Sequence, residues 1–189
     1  MDKRPVKINQ KYFKEFFSVL FGVMFALFID TMWSNHEHSV LAEKATHDIL
    51  LEVKENHDKM DSLITRHEAT QKKIRHLIKV IEEELDTVNV DNDLSLEFEL
   101  IEDTAWETAQ ISGAVTYIKL EKLSKYNSLY KMQALYLNFI EKFMEHSFTG
   151  MQLLTEREKL GQMDYFIENT LMTEKRLLLQ YEKILEGKK

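Results

Sequence analysis

The stretch Tyr12-Phe-Lys-Glu-Phe-Phe-Ser-Val-Leu-Phe-Gly-Val-Met-Phe-Ala-Leu-Phe-Ile-Asp-Thr-Met-Trp33 decides how the rest of the chain is read. Its centre, Phe16 to Ile29, is an apolar run interrupted only by Ser18 and Gly22. By itself a run of that length also suits a signal-peptide core or a buried helix. The flanks extend it. From Tyr12 to Trp33 a helix at about 1.5 Å per residue covers roughly 33 Å, the thickness of a hydrocarbon core. Tyr12, Phe13 and Trp33 then stand where interfacial aromatics belong, and Lys14 can snorkel. After the run, Ile29-Asp-Thr-Met-Trp-Ser-Asn-His36 lacks the small residues at −3 and −1 that signal peptidase requires. The segment is therefore expected to stay attached as a transmembrane anchor over 12–33.

Direction follows from charge. Lys3, Arg4, Lys7, Lys11 and Lys14 face only Asp2 and Glu15 in the first 15 residues, whereas Lys44 is the single basic residue in the 20 after Trp33. The positive-inside rule places residues 1–11 in the cytoplasm and 34–189 outside it. For a bacterial cell this means an inner-membrane, single-pass protein with a periplasmic domain. So short a cytoplasmic segment leaves no room for an attached output domain. Within the anchor, Ser18, Gly22, Ala26 and Asp30 recur every four residues, a small-residue face of the kind on which membrane helices associate.

Composition bounds the remainder. The net charge is −7, so with a basic N-terminus the body is more acidic still, which argues against binding a phosphate backbone. The absence of cysteine excludes disulfides, thiolate metal sites and thiol chemistry. One proline and five glycines in 189 residues make long helices the default. The expected class is all-α: a transmembrane helix, a long helix over about 38–88, then an antiparallel bundle with helices over about 100–112, 120–148 and 163–185.

The long helix carries a heptad-like seam through Ile49, Val53, Asn56, Met60, Leu63, His67, Thr70, Ile74, Leu77, Ile81, Glu84 and Val88. It ends at Thr87–Ser95, read as a loop. Polar residues on such seams commonly set register or partner choice, so Asn56, Met60, Leu63 and His67 form a candidate partner seam. Trp106, with Tyr117 and Tyr126, offers either a pocket lining or a core anchor.

Other groupings lead to less. His36, His38, His47 and Asp48 would supply nitrogen and oxygen ligands, but residues two apart on a helix diverge. Asp91, Asp93, Ser95, Glu97, Glu99 and Glu102 follow the ligand spacing of a calcium loop, yet Leu96 occupies the place of its sharp-turn glycine. His67 on the seam could sense pH by charging near pH 6. No P-loop, dinucleotide fingerprint or nucleophile elbow occurs. No catalytic, cofactor or metal residue is assigned.

Two short motifs, Ala26-Leu-Phe-Ile-Asp-Thr-Met-Trp33 at the anchor exit and Thr104-Ala-Trp-Glu-Thr-Ala-Gln-Ile-Ser-Gly113 before a Leu/Tyr-rich helix, carry a resemblance. In the order of its features the chain resembles uncharacterised bacterial single-pass inner-membrane proteins. These have a short basic N-terminus, one anchor and a helical extracytoplasmic domain. The resemblance implies the topology and no functional residue. The expected role is non-enzymatic: a membrane-anchored scaffold or interaction protein, with the lipid bilayer and a protein partner or a second copy as its contacts. Neither nucleic acid nor a small-molecule substrate is inferred. The alternative is a ligand-binding helical sensor acting through a separate membrane partner.

Overall fold

The computed structural model describes residues 10–83, 94, 96–150 and 154–187, with backbone alone at 10–12 and 146–150. The N-terminal basic residues Lys3, Arg4 and Lys7, and residues 84–93 and 95, which hold most of the expected loop, lie outside the described residues. All regular structure among the described residues is helical: α1 (Gln10–Glu82), α2 (Thr104–Ile111), a 3-10 turn (Ala114–Tyr117), α3 (Leu120–Gly150) and α4 (Glu156–Glu186).

The expected anchor and long helix are one element. α1 runs unbroken for 73 residues, about 110 Å at 1.5 Å per residue. The composition changes near Ser34, but neither glycine nor proline interrupts the backbone between Gly22 and Glu82, so no boundary forms. Every side chain from Phe13 to Trp33 is exposed, and this part of α1 is long and apolar enough to cross a membrane. Two side chains near the end of this stretch have local partners: Thr31 Oγ1 donates to the Leu27 carbonyl, and Trp33 Nε1 donates to Glu37.

Beyond Leu41, where burial begins, α1 becomes one member of a three-helix bundle. Glu82 meets Arg157, Arg75 meets Asp164, and Glu68 meets Lys175, so α4 descends α1 in the antiparallel sense. α3 rises beside them, as Tyr130 reaches Glu52 at one level and Tyr136 reaches Glu174 at a higher one. α4 begins at Glu156, seven residues earlier than its apolar pattern suggests. A reciprocal capping box between the N-cap Thr155 and Glu158 starts it there, leaving Gly161 inside the helix.

Residues 96–103 form a non-helical strap that descends from the far end of the bundle toward α2. Leu94, Leu96 and Phe98 pack on the core, while Glu97 and Glu99 turn to Arg66 and Glu102 turns to Lys59. This alternation has the period of an extended chain. α2 consequently starts at Thr104, not near residue 100. It ends at Ile111, and two residues on the chain turns at Gly113, whose φ of 74° is the left-handed conformation that glycine reaches without Cβ strain.

Candidate functional site

The most distinctive feature of the bundle is a file of buried polar side chains. It begins on α1 with residues that helical spacing puts on the inward face: Glu52, Asn56 and His67, interleaved with Ile49, Val53, Met60 and Leu63. Each polar member meets a partner from another element.

Glu52 joins α1 to both α2 and α3. Its Oε1 accepts from the Tyr130 hydroxyl at 2.6 Å, and its Oε2 accepts from the Ala105 backbone N–H at 2.7 Å. The Ala105 donor belongs to the first turn of α2, where N–H groups have no helical acceptor and the dipole favours an anion. Asp103, the N-cap residue by position, makes no side-chain cap bond. Glu52 caps the helix from 53 residues away. Burial, and then the Glu52 carboxylate, push the Tyr130 hydroxyl well above its ordinary pKa and keep it a donor.

One turn further, Asn56 binds the strap. Its Nδ2 donates to the Glu102 carbonyl at 2.6 Å and its Oδ1 accepts from the Glu102 N–H at 3.0 Å. The same carbonyl accepts from Gln133 Nε2 at 2.7 Å, and Gln133 Oε1 accepts from the Tyr181 hydroxyl at 3.1 Å. α1, α3 and, through Gln133, α4 are thus joined around the main chain of Glu102 in the strap.

The third station is the pair His67 and Glu174, 2% and 0% exposed. Nδ1 lies 3.0 Å from one carboxylate oxygen and 3.1 Å from the other, and the Tyr136 hydroxyl donates to Oε1 at 2.8 Å. Nε2 lies 2.9 Å from the Glu97 carbonyl. A carbonyl only accepts, so Nε2 carries a hydrogen; a neutral imidazole would then point a bare Nδ1 lone pair at the carboxylate. The contact requires a further proton between Nδ1 and Glu174. Burial lowers the His67 pKa, as does Arg66 nearby, but the bond to Glu174, its charge and the Glu97 carbonyl outweigh both and raise it. The pair has the composition of an acid–base dyad. It is nevertheless sealed between α1, the strap, α3 and α4, so it locks the four together.

The residues singled out from sequence fall into three places. Asn56, Met60, Leu63 and His67 are all buried. Their expected role as an external seam is corrected, because the chain's own α4, α3 and strap cover them. Charge reversal at Met60 or Leu63 would report on folding. Trp106, Tyr117 and Tyr126 do not line a common cavity. Trp106 stacks on Tyr130 in the core with centroids 5.2 Å apart, and Tyr126 is buried. Tyr117 lies outside, stacked on His38 at 3.9 Å. Ser18, Gly22, Ala26 and Asp30 are exposed along α1, and a Cβ built on Gly22 meets nothing within 4 Å.

His36, His38, His47 and Asp48 do not converge, and among the described residues no cluster of three or more His, Asp or Glu is arranged to hold a metal ion. Asp91 and Asp93 fall outside the described residues. Glu97, Glu99 and Glu102 pair with cations of α1. On α3 the buried face runs through Tyr126, Leu129, Tyr130, Gln133, Tyr136 and Ile140, which leaves Ala134 and Met144 outside.

Glu52, Gln133 and Glu174 do not stand out in the sequence, and Tyr136 does so only as part of the apolar face of α3. A signal existed for some of them: Gln133 and Glu174 sit at core positions of otherwise apolar helical stripes. Nothing in the sequence pairs them with partners 31 to 107 residues away. No family model matches the chain, and no curated protein or solved structure is significantly similar to it.

Proposed function

We propose that the protein is a single-pass, membrane-anchored interaction module, with its N-terminus in the cytoplasm and its helical bundle displayed on the extracytoplasmic side of a bacterial inner membrane. The observation that carries this reading is the continuity of α1. One helix supplies both the apolar stretch and a wall of the bundle, so whatever the bundle touches is held at a fixed height and rotation relative to the anchor. The positive-inside rule supplies the direction.

The interaction surface is the outer face of α4 and α3. Tyr165, Met172 and Leu179 are exposed at intervals of seven, the spacing of a stripe that a partner helix covers. Leu135 and Phe139 are exposed on α3, and Phe139 and Tyr165 border one open groove of about 620 Å³. Exposed apolar residues in such a row mark protein contacts more than scattered ones do. Trp106 is stacked on Tyr130 and borders an open groove of about 410 Å³ that neither Tyr117 nor Tyr126 lines, which gives a ligand-sensing role less support.

The test is in-membrane crosslinking through the exposed Lys131 and Lys142 of α3, followed by mass spectrometry. The expected outcome is crosslinks from these lysines to one defined protein or to a second copy. Met172→Glu with Leu179→Glu should abolish them while the melting temperature stays near that of the parent. Crosslinks indifferent to the pair of substitutions would remove this face from the proposal. Cytosolic behaviour of a reporter fused after Gly187 would remove the topology.

A further inference from the structure

His67 reaches two different elements through its two ring nitrogens, Nδ1 to the Glu174 carboxylate of α4 and Nε2 to the Glu97 carbonyl of the strap. With Glu174 ionised, neither oxygen can donate, so each contact needs a hydrogen on the ring. The imidazolium carries two such hydrogens and the neutral ring carries one. Loss of a proton therefore breaks one contact, and the surroundings decide which.

The two partners differ in their access to water. Glu174 is completely buried, and its other donor is the Tyr136 hydroxyl of α3 at 2.8 Å, which burial keeps protonated. A bare Nδ1 would leave a dry, ionised carboxylate with that one bond, and an unmet buried charge costs more than a lost neutral bond. Glu97, by contrast, is an exposed residue whose carbonyl can turn to water. The neutral ring accordingly keeps its hydrogen on Nδ1. Bare Nε2 then opposes the Glu97 carbonyl oxygen 2.9 Å away, lone pair against lone pair. The other charges beside the ring are Arg66 of α1 and the Glu97 and Glu99 carboxylates of the strap. They pair with one another at the surface, where such bridges contribute little.

The strap is held in two halves. Beyond Leu100, which is 76% exposed, Ile101 is buried and the Glu102 main chain is clasped by Asn56 and Gln133. Residues 96–99 are held by the His67 bond, the Arg66 pairs and the partly buried Leu96 and Phe98.

We propose that His67 is a pH-operated latch on the strap: loss of its proton at alkaline pH releases residues 96–99 from α1, while residues 101–103 and the contact of α1 with Glu174 stay in place. Phe98 packs edge-on against both His67 and Phe166, and Phe166 stacks on Phe139 and Phe143 of α3, which border the groove between α3 and α4. Release thus uncovers one end of an aromatic file whose other end lies in that groove. The latch stands whether or not the groove takes a partner.

The test uses the full chain in detergent micelles, with 4-fluorophenylalanine placed at Phe98 and, in a second sample, 5-fluorotryptophan reporting on Trp106. A soluble gadolinium chelate broadens the fluorine signals that it can approach. Between pH 6 and pH 9 broadening at position 98 should rise several-fold, with none at Trp106 and no change with pH in His67→Gln. In the parent labelled with 15N-histidine, the imidazole shifts should show neutral His67 with its hydrogen on Nδ1.

A neutral ring with its hydrogen on Nε2 overturns the proposal, because Glu174 would then lose the contact. A ring that keeps its proton through pH 9 does the same, as does a position 98 no more accessible at pH 9 than at pH 6. Equal broadening at Trp106 would mean that the whole bundle loosens, and the latch falls. The tautomer is read in the parent, so the test holds even if His67→Gln does not fold.

Discussion

Asn56 pairs with the main chain of Glu102 as a neighbouring strand would, Nδ2 donating to its carbonyl at 2.6 Å and Oδ1 accepting its N–H at 3.0 Å. A side-chain amide carries the same donor and acceptor as a peptide, so it can complete an extended segment lying against a helix. The strap thereby satisfies its backbone without belonging to a sheet. Replacing Asn56 with Leu keeps the volume and leaves the Glu102 N–H without its acceptor. The expected cost is about 1–3 kcal/mol, that of an unsatisfied partly buried donor. Chemical denaturation of the parent and variant measures it, and an unchanged midpoint would mean that the strap is held by its leucines and Phe98 alone.

The His67–Glu174 pair gives stability a defined dependence on pH. The folded-state pKa of His67 is raised, so its contribution is complete below the unfolded value of 6.5 and is lost as pH rises through the folded value. Thermal unfolding followed from pH 6 to pH 9 should show a falling melting temperature in the parent. His67→Gln, which cannot take up the proton, should be destabilised at pH 6 and flat across the range. The carboxylates whose pKa values are lowered, Glu68 through Lys175, Glu121 through Lys125 and Glu158 through the Thr155 backbone and hydroxyl, act at the acid end. They lose their contribution only as pH falls below 4.5, outside this window. A parent whose melting temperature rises between pH 6 and 9 would refute the charged pair.

Glu52 should control α2 locally. Its substitution by Ala removes the acceptor of the Ala105 N–H and of the Tyr130 hydroxyl, at an expected cost of about 1–3 kcal/mol. The sharper readout is spatial. Hydrogen exchange should accelerate in residues 104–112 more than in the middle of α4. Uniform acceleration everywhere would show that Glu52 acts on the whole bundle and not as a remote cap.

Thr170 offers the opposite sign. It is completely buried on α4, and among the described residues no partner lies within hydrogen-bonding distance of its Oγ1. Thr170→Val exchanges that hydroxyl for a methyl of similar size, so a gain of about 0.5–2 kcal/mol is expected. A loss of stability would reveal that the hydroxyl has an ordered water or another partner.

The sequence by itself determined the features that depend on neighbours within a few residues. Helices form through bonds between positions four apart, so the scarcity of glycine and proline was enough to forecast an all-helical chain. Apolar runs and periods located the membrane-length stretch, the inward face of α1 from Ile49 to Ile81, and the stop at Gly113. The start of α4 was also written locally, in Thr155 and Glu158, although its apolar stripe drew attention to a later residue. The strap was legible in principle from the alternation of Leu94, Leu96 and Phe98 with polar residues, a two-residue period in a chain otherwise dominated by the helical one.

The tertiary structure alone decided which surfaces meet. An inward face looks the same in sequence whether another molecule or the chain's own α4 covers it, and here α4, α3 and the strap do. The pairings of Glu52 with Tyr130, Asn56 with Glu102 and His67 with Glu174 span 78, 46 and 107 residues. No local rule reaches so far: such groups find each other only after packing has excluded water, and it is that exclusion which makes leaving them unpaired costly.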